Sequence, residues 1–447
     1  MLIGPHTGLI PGEGLIATPG AVDSHVHLSN TNVLPNLLAS GVTTIVGMGS
    51  GGVWDVGVNP SYSLPTMLAA WSGIPLNVAF LGRGSRDVAT LEAAVSLGVA
   101  GFKVHEDFGA APHAIDATLS VAAAADVAVA LHTDSLNETA SLPDTIEAIG
   151  GRAVHAYHVE GSGGGHVPDI LEIVSNGAVL PSSTTPTVPY AVNTVDELTP
   201  MTVHRQAARF PTDREKTRWR VRPATIQAES VLQDLGAISI VNSDSLGMGR
   251  AGEMIRRTWQ LASRMKDLSG PDEGELDNAR VRRYVAKYTI NPALVHGMAH
   301  VVGTLEPGKL ADVVLWRPEY FGIKPEITIK SGFVAWGVSG SGAGATRLCE
   351  PLRYRPFFGA IGDAPSRLSV AFVGGPAVDG LRRHAVGSLR LEAVGGCRSV
   401  NKRAMVANDA TPPVVVAPDG RSVTVDGREV HVPPATSLPM GQLYSLA

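Results

Sequence analysis

Eight short, mostly apolar runs recur along the chain, and helical patterns occupy the gaps between them. The runs are Ala21–Leu28, Val42–Met48, Leu76–Leu81, Gly101–His105, Val127–His132, Ala153–His158, Ala178–Pro181 and Ala237–Asn242. Several are rich in β-branched residues, and the connectors include Ala-rich stretches such as Leu91–Leu97 and Ala114–Ala125. Eight strands alternating with helices predict an α/β chain built on a (β/α)8 barrel. In that architecture the chemistry sits where strands end and loops begin.

The 447 residues leave room for one large barrel and a smaller domain. Residues 1–20 read as short β pieces, 21–300 as the barrel, and 301–447 as a β-rich region that completes a second domain with the N-terminal pieces. Gly303–Trp316 reads as two strands around Pro307–Gly308, and helices are expected at Met254–Met265 and Val281–Tyr288. The gap between the seventh and eighth runs, Ser182–Gly236, holds Pro186, Pro189, Pro200 and Pro211 and then the basic run Arg214–Arg222. A connection of that length reads as a functional flap, placed at about residues 186–222.

The net charge of −5 gives no reason to expect nucleic acid or an anionic membrane as partner. No apolar run reaches 18 residues and the start carries no basic leader, so a soluble, cytoplasmic protein is expected. Two cysteines, Cys349 and Cys397, do not make a disulfide framework.

The chemistry gathers around the fourth run. Strand alternation puts Lys103 and His105 on one face and Phe102 and Val104 on the other. An inward lysine is costly unless it is used; alone, it reads as a side chain that snorkels to solvent. The other runs supply partners. His25 and His27 stand two apart on the first, His132 and His158 end the fifth and sixth, and Asp244 follows the eighth. Each histidine taken singly is an ordinary core or surface residue; six such groups at one barrel rim make a metal site. Six ligands exceed the need of one tetrahedral ion, so two bridged ions fit better. An ammonium at Lys103 would repel both. Its neutral amine can add to carbon dioxide, giving an anionic carbamate that bridges them.

The stretches GFKVHEDFGA, ALHTDSLNETA, GGRAVHAYHVEGSGGGHVPDI, LPSSTTPTVPY, NSDSLGMGR and KYTINPALVHGMAH resemble segments of the urease catalytic (alpha) subunit, within the amidohydrolase superfamily. The resemblance runs from about Gly14 to Ala447. It implies that Lys103 is the carbamylated bridge between two nickel ions, with His132 and His158 on one ion and His25, His27 and Asp244 on the other. It implies that His105 hydrogen-bonds the substrate carbonyl, that His204 is the mobile-flap histidine paired with Asp107, and that Arg220 is the active-site arginine. His204 and Arg220 stand 16 residues apart, and Arg220 and Asp244 stand 24 apart, as the family pattern asks. The implied reaction is hydrolysis of urea to ammonia and carbamate. Implied partners are a small-molecule substrate, further copies of the chain, smaller urease-like subunits and metal-loading accessory proteins.

Three departures bear on the substrate. Val203 stands where the family has a cysteine, Gly247 where it has an alanine, and the Gly47–Gly57 loop is shorter and different, with Trp54 a loop anchor or pocket wall. A substituted urea, a guanidine or another small amide is therefore an alternative substrate, and a non-catalytic urease-like subunit a third reading. Zinc, iron or manganese suit the same ligands as nickel. Only 24 residues precede His25, where the family carries a long segment, so a separate chain or a different assembly is expected to replace it. His166, after the glycine run Gly163–Gly165, reads as an ordinary residue first and as a group orienting the site from behind second. His296, His300, His384 and His431 read as surface or packing residues.

Overall fold

The computed structural model describes residues 3–5, 7–28, 30–48, 63–105, 111–132, 141–163, 168–203, 210–272, 274, 276–340, 353–383 and 388–440. A short strand, β1 (Ile16–Pro19), leads into the barrel strands β2 (Ala21–His27), β3 (Val42–Met48), β4 (Asn77–Arg83), β5 (Gly101–His105), β6 (Ala128–His132), β7 (Val154–Tyr157), β8 (Val179–Thr184) and β9 (Ile240–Asn242). From β2 to β9 each strand pairs in parallel with the next, in chain order. This is the expected barrel. Every residue of β2, β3, β6, β7 and β8 is buried, which is why these strands read as unbroken apolar runs.

The seam between β9 and β2 closes at the top through the His27 amide, which donates to the Ser245 carbonyl at 2.9 Å. Lower down, the Val22 and Val241 amides instead donate to the Tyr288 and Lys287 carbonyls.

The covering helices are α1 (Leu34–Ala39), α2 (Ser63–Trp71), α3 (Val88–Leu97), α4 (Pro112–Ala125) and α5 (Leu142–Ile149). Local chemistry sets their ends. Ser141 and Asp144 form a capping box on α5, with the Ser141 amide donating to Asp144 Oδ2 at 2.7 Å. Gly98 ends α3 at φ 100°, a conformation that glycine adopts without strain.

The segment expected as one long flap loop is mostly helical: α6 (Thr194–Thr202), α7 (Pro211–Arg220) and α8 (Pro223–Asp234). Pro211 and Pro223 begin helices instead of breaking them, because a first-turn residue has no N–H partner to lose. The helices α9 (Met254–Ser269), α10 (Asn278–Ala286) and α11 (Ile290–Val295) follow.

Beyond the barrel, β10 (Val313–Trp316), β11 (Pro325–Lys330), β12 (Phe333–Ser339) and β13 (Arg353–Pro356) join β1 in an antiparallel sheet of order β1-β10-β11-β12-β13. Gly303–Trp316 therefore holds one strand where two were expected; the turn around Pro307–Gly308 precedes it. Lys330 links this sheet to the barrel. It is fully buried, 2.6 Å from Asp312 Oδ2 and 2.8 Å from Asn77 Oδ1. The strands β14 (Val370–Val373) and β15 (Arg390–Ala393) return to the barrel sheet: Ala371 and Phe372 pair in parallel with Val78 and Ala79 at the base of β4. The region 301–447 is thus β-rich but not one separate sheet. Its last piece is a three-stranded sheet, β16 (Val414–Val416), β17 (Val423–Val425) and β18 (Arg428–Glu429).

Candidate metal centre

Strand pairing decides which side chains meet at the barrel mouth. Register sets His105 beside His132 and His132 beside Tyr157. The two turns after β7 and β9 contribute His158 and Asp244, both in the left-handed backbone region at φ 52° and 50°. Such non-glycine positions cost of order 1–3 kcal/mol and cluster at functional sites.

Asp244 stands at the centre. Its Oδ1 lies 3.2 Å from His25 Nε2 and 3.1 Å from His27 Nε2, and its Oδ2 lies 3.5 Å from His158 Nε2. Donor atoms of His25, His27 and Asp244 all fall within 4.8 Å of one another. The His132 ring centroid is 4.8 Å from that of His158 and stacks on His105 at 4.1 Å. Lys103 is 6% exposed and enters the group from below, its Nζ 3.7 Å from the centroid of the Tyr157 ring. The structure thus brings together all six expected metal-ligating residues and His105.

The electrostatics suit a cation. Burial holds the His25 imidazole well below its ordinary pKa, against the opposing pull of the Asp244 carboxylate. Burial, then the neighbouring His132, does the same to His105. Burial would raise Asp244, but the imidazoles around it outweigh that and hold it well below the usual carboxylate range. Imidazoles gathered around an ionised carboxylate form a donor set for a divalent metal. Neither ring nitrogen of His25 makes a hydrogen bond among the described residues.

Gly247 lies against this carboxylate. A Cβ there would fall 2.2 Å from Asp244 Oδ1 and 2.8 Å from His27 Cδ2, so glycine leaves Asp244 room to lean onto the imidazoles. Arg220, at the end of α7, donates from Nε to the Ser162 carbonyl at 3.1 Å and from Nη1 to the Thr202 carbonyl at 3.4 Å, and its Nη2 bonds the Gly163 carbonyl. It therefore ties the turn after β7 to the end of α6, where Val203 caps the helix. Asp107, His204, His166, Trp54 and most of the Gly47–Gly57 loop lie outside the described residues.

Several residues around the centre escaped the sequence reading. Asp23 Oδ1 accepts from the Ser243 amide at 3.0 Å, tying β2 to the end of β9, and burial pushes its carboxyl up to about 6. Its signal was a polar residue two before His25 on an apolar strand. Glu160 reaches His158 through Ser162, whose hydroxyl bonds Glu160 Oε1 and lies 3.4 Å from His158 Nδ1. Burial, and then the Glu160 charge, raise the Glu229 carboxyl well above the usual carboxylate range. His296, expected as a surface or packing residue, is buried with its Nε2 2.9 Å from His155 Nδ1. Nothing local in the sequence marks that pair.

Residues 16–356 match the amidohydrolase family. The chain is 48% identical to urease subunit alpha 2 of Streptomyces coelicolor, over all of this chain and 80% of that protein. It is 45% identical to the urease subunit alpha of Natronomonas pharaonis, again over all of this chain and 80% of the relative. Among solved structures, dihydropyrimidinase from Brevibacillus agri matches with a TM-score of 0.53 at 14% identity, covering 75% of this chain and 88% of that one. At that identity the likeness concerns the fold. Among the described residues, no helix is long and apolar enough to cross a membrane.

Proposed function

The chain belongs to the amidohydrolase family, among the urease alpha subunits, and from that premise we propose that it hydrolyses urea to ammonia and carbamate at the barrel mouth. The observation that carries this is the convergence of His25, His27 and His158 on Asp244, with Lys103 and His132 beside them. In this reading His25, His27 and Asp244 would hold one divalent ion, His132 and His158 would hold a second, and Lys103, as a carbamate, would supply an anionic ligand to both. Nickel is the proposed metal, with zinc, iron or manganese compatible with the same ligands. Bound there, the ions would supply Lewis acidity toward a carbonyl and a water acidified to near neutrality.

The protein's own groups do the rest. The neutral Lys103 amine adds to the carbon of carbon dioxide; the C–N bond forms, one C=O electron pair moves to oxygen, and a proton leaves Nζ for solvent. His105, kept neutral by burial, donates an N–H to the urea oxygen as negative charge builds there. His204, paired with Asp107, delivers a proton to the leaving nitrogen. Arg220 holds the turn after β7 against the end of α6, and closure of that flap excludes water. Gly247 and Val203 favour a second reading: the same chemistry on a substituted urea, a guanidine or another small amide. A non-catalytic urease-like subunit is a third and weaker one, because it leaves the buried lysine among metal-binding groups without a use. The cytoplasm is the proposed location. Further copies of the chain, smaller urease-like subunits and metal-loading proteins are the proposed partners.

Elemental analysis of the purified chain, combined with ammonia release from urea and from substituted ureas, tests this. Two metal ions per chain and ammonia from urea are expected. Metal with turnover of substituted ureas alone selects the second reading. A metal-free chain with unmodified Lys103 under metal and bicarbonate refutes both.

A further inference from the structure

Tyr157 has no place in the scheme above, yet it touches two of the six proposed metal-binding residues, His25 and Lys103. The strand alternation of β7 turns His155 and Tyr157 into the barrel. Tyr157 is fully buried, and its ring stacks on His25 with centroids 4.0 Å apart and planes 19° from parallel. The same ring lies 3.7 Å from Lys103 Nζ. Its hydroxyl donates to the Ser24 carbonyl at 2.5 Å, on the strand that carries His25 and His27. From below, the edge of the His155 ring meets it at 4.6 Å, and His296 pins His155 in turn at 2.9 Å. One side chain thus contacts both a proposed ligand of one ion and the proposed bridge between the two, and a column of two histidines supports it.

We propose that Tyr157 is a positioning residue: its ring is the floor on which Lys103 and His25 rest, and its hydroxyl holds the His25-bearing strand across the barrel. Without that floor the flexible Lys103 chain settles into the barrel, and Nζ leaves the mouth where its lone pair must meet the carbon of carbon dioxide and then release a proton. The inference rests on the proposed two-metal reading of the site.

The test uses the 447-residue chain incubated with the metal alone and ¹³C-bicarbonate. It reads metal per chain, metal affinity and the carbamate ¹³C signal, with circular dichroism and thermal midpoint as fold controls. Tyr157→Phe keeps the ring and is expected to retain the carbamate signal and metal affinity to within about threefold. Tyr157→Leu is expected to lose at least about tenfold in affinity, the scale set by residues that orient metal ligands, and most of the carbamate signal. Should Tyr157→Leu fail to fold, Tyr157→Met, flexible and able to fill the gap, is read the same way. A purely structural role would lower the midpoints without separating Tyr157→Phe from the others in affinity at low temperature. Tyr157→Leu or Tyr157→Met binding metal and carbamate as the parent does overturns the inference alone. Tyr157→Phe falling as far as Tyr157→Leu overturns the floor. A parent chain with neither metal nor carbamate refutes the functional reading and takes this inference with it.

Discussion

Replacing Asp312 by alanine strips a fully buried ammonium of the only carboxylate it meets among the described residues. Lys330 Nζ sits 2.6 Å from Asp312 Oδ2, 2.8 Å from Asn77 Oδ1 and 3.4 Å from the Thr43 carbonyl, so Asp312→Ala leaves two neutral acceptors and no counter-charge. Removing one partner of a buried pair costs about 3–5 kcal/mol. The Ser331 amide, 2.8 Å from Asp312 Oδ1, also loses its acceptor, which places the expectation toward the upper end. Even about 3 kcal/mol is roughly a hundredfold in the folding equilibrium. Burial, the largest influence, already lowers the Lys330 pKa, and Asp312 opposes it. Without Asp312 the folded-state pKa drops further below the unfolded value of about 10.4. Between those two values the unfolded chain binds more protons, so stability rises with pH, by at most about 1.4 kcal/mol per unit. The deficit of Asp312→Ala is therefore greatest near neutrality and shrinks as pH climbs toward 10. The double variant Asp312→Ala/Lys330→Met removes the charge altogether and should recover to within about 2 kcal/mol of the parent. Urea denaturation of the chelator-treated, metal-free chain, which lacks the metal that hydrolysis of the denaturant would need, reads these shifts by tryptophan fluorescence, Trp316 lying in the same sheet. The first transition should be analysed alone, because a chain of this size need not unfold in one step. A loss below about 1 kcal/mol at neutral pH, or a double variant no more stable than Asp312→Ala, would refute the account of Lys330 as a charge held by Asp312.

Two further outcomes concern the site. Asp244→Asn keeps a residue that tolerates the φ of 50° but removes the negative charge. Metal affinity should fall on the order of 10²-fold or more by competitive chelation, with the thermal midpoint little changed; retained affinity would mean that Asp244 is not a ligand. Arg220→Lys exchanges a planar fork for a point charge that cannot serve the Ser162, Gly163 and Thr202 carbonyls at once. Ammonia release should drop roughly tenfold and limited proteolysis within residues 163–210 should quicken; unchanged values of both would show that the flap is held by other contacts.

The barrel was legible because each of its strands announces itself locally, and a strand buried on both faces is a run of apolar residues. The candidate metal ligands were legible because they punctuate those runs at their C-terminal ends. What the local pattern could not carry is pairing between distant segments. Val370–Val373 looks like any short strand, and nothing in it says that its neighbour is Val78. His155 and His296 are 141 positions apart and meet only in the folded core. Tyr157 was hidden differently: a tyrosine beside a histidine on an apolar strand reads as filling, and its contacts with Lys103 and Ser24 depend on barrel closure. The helices α7 and α8 start at Pro211 and Pro223, where proline suits a first turn, while α6 accommodates Pro200 inside it, so a count of prolines does not mark this segment as loop.

The strand β14 makes the base of β4 a late-completed part of the barrel sheet. The Val370 amide bonds Asn77 Oδ1, a partner 293 positions earlier in the chain. At ribosomal rates of about 5–20 residues per second, a nascent β4 waits roughly 15–60 s for that neighbour to emerge. Through that interval the backbone of Val78 and Ala79 stands open to any passing extended segment, and nascent-chain chaperones have their widest opportunity there. A gene fragment cut after residue 300 would make that exposure permanent, and aggregation, not a working half-enzyme, is what it should yield.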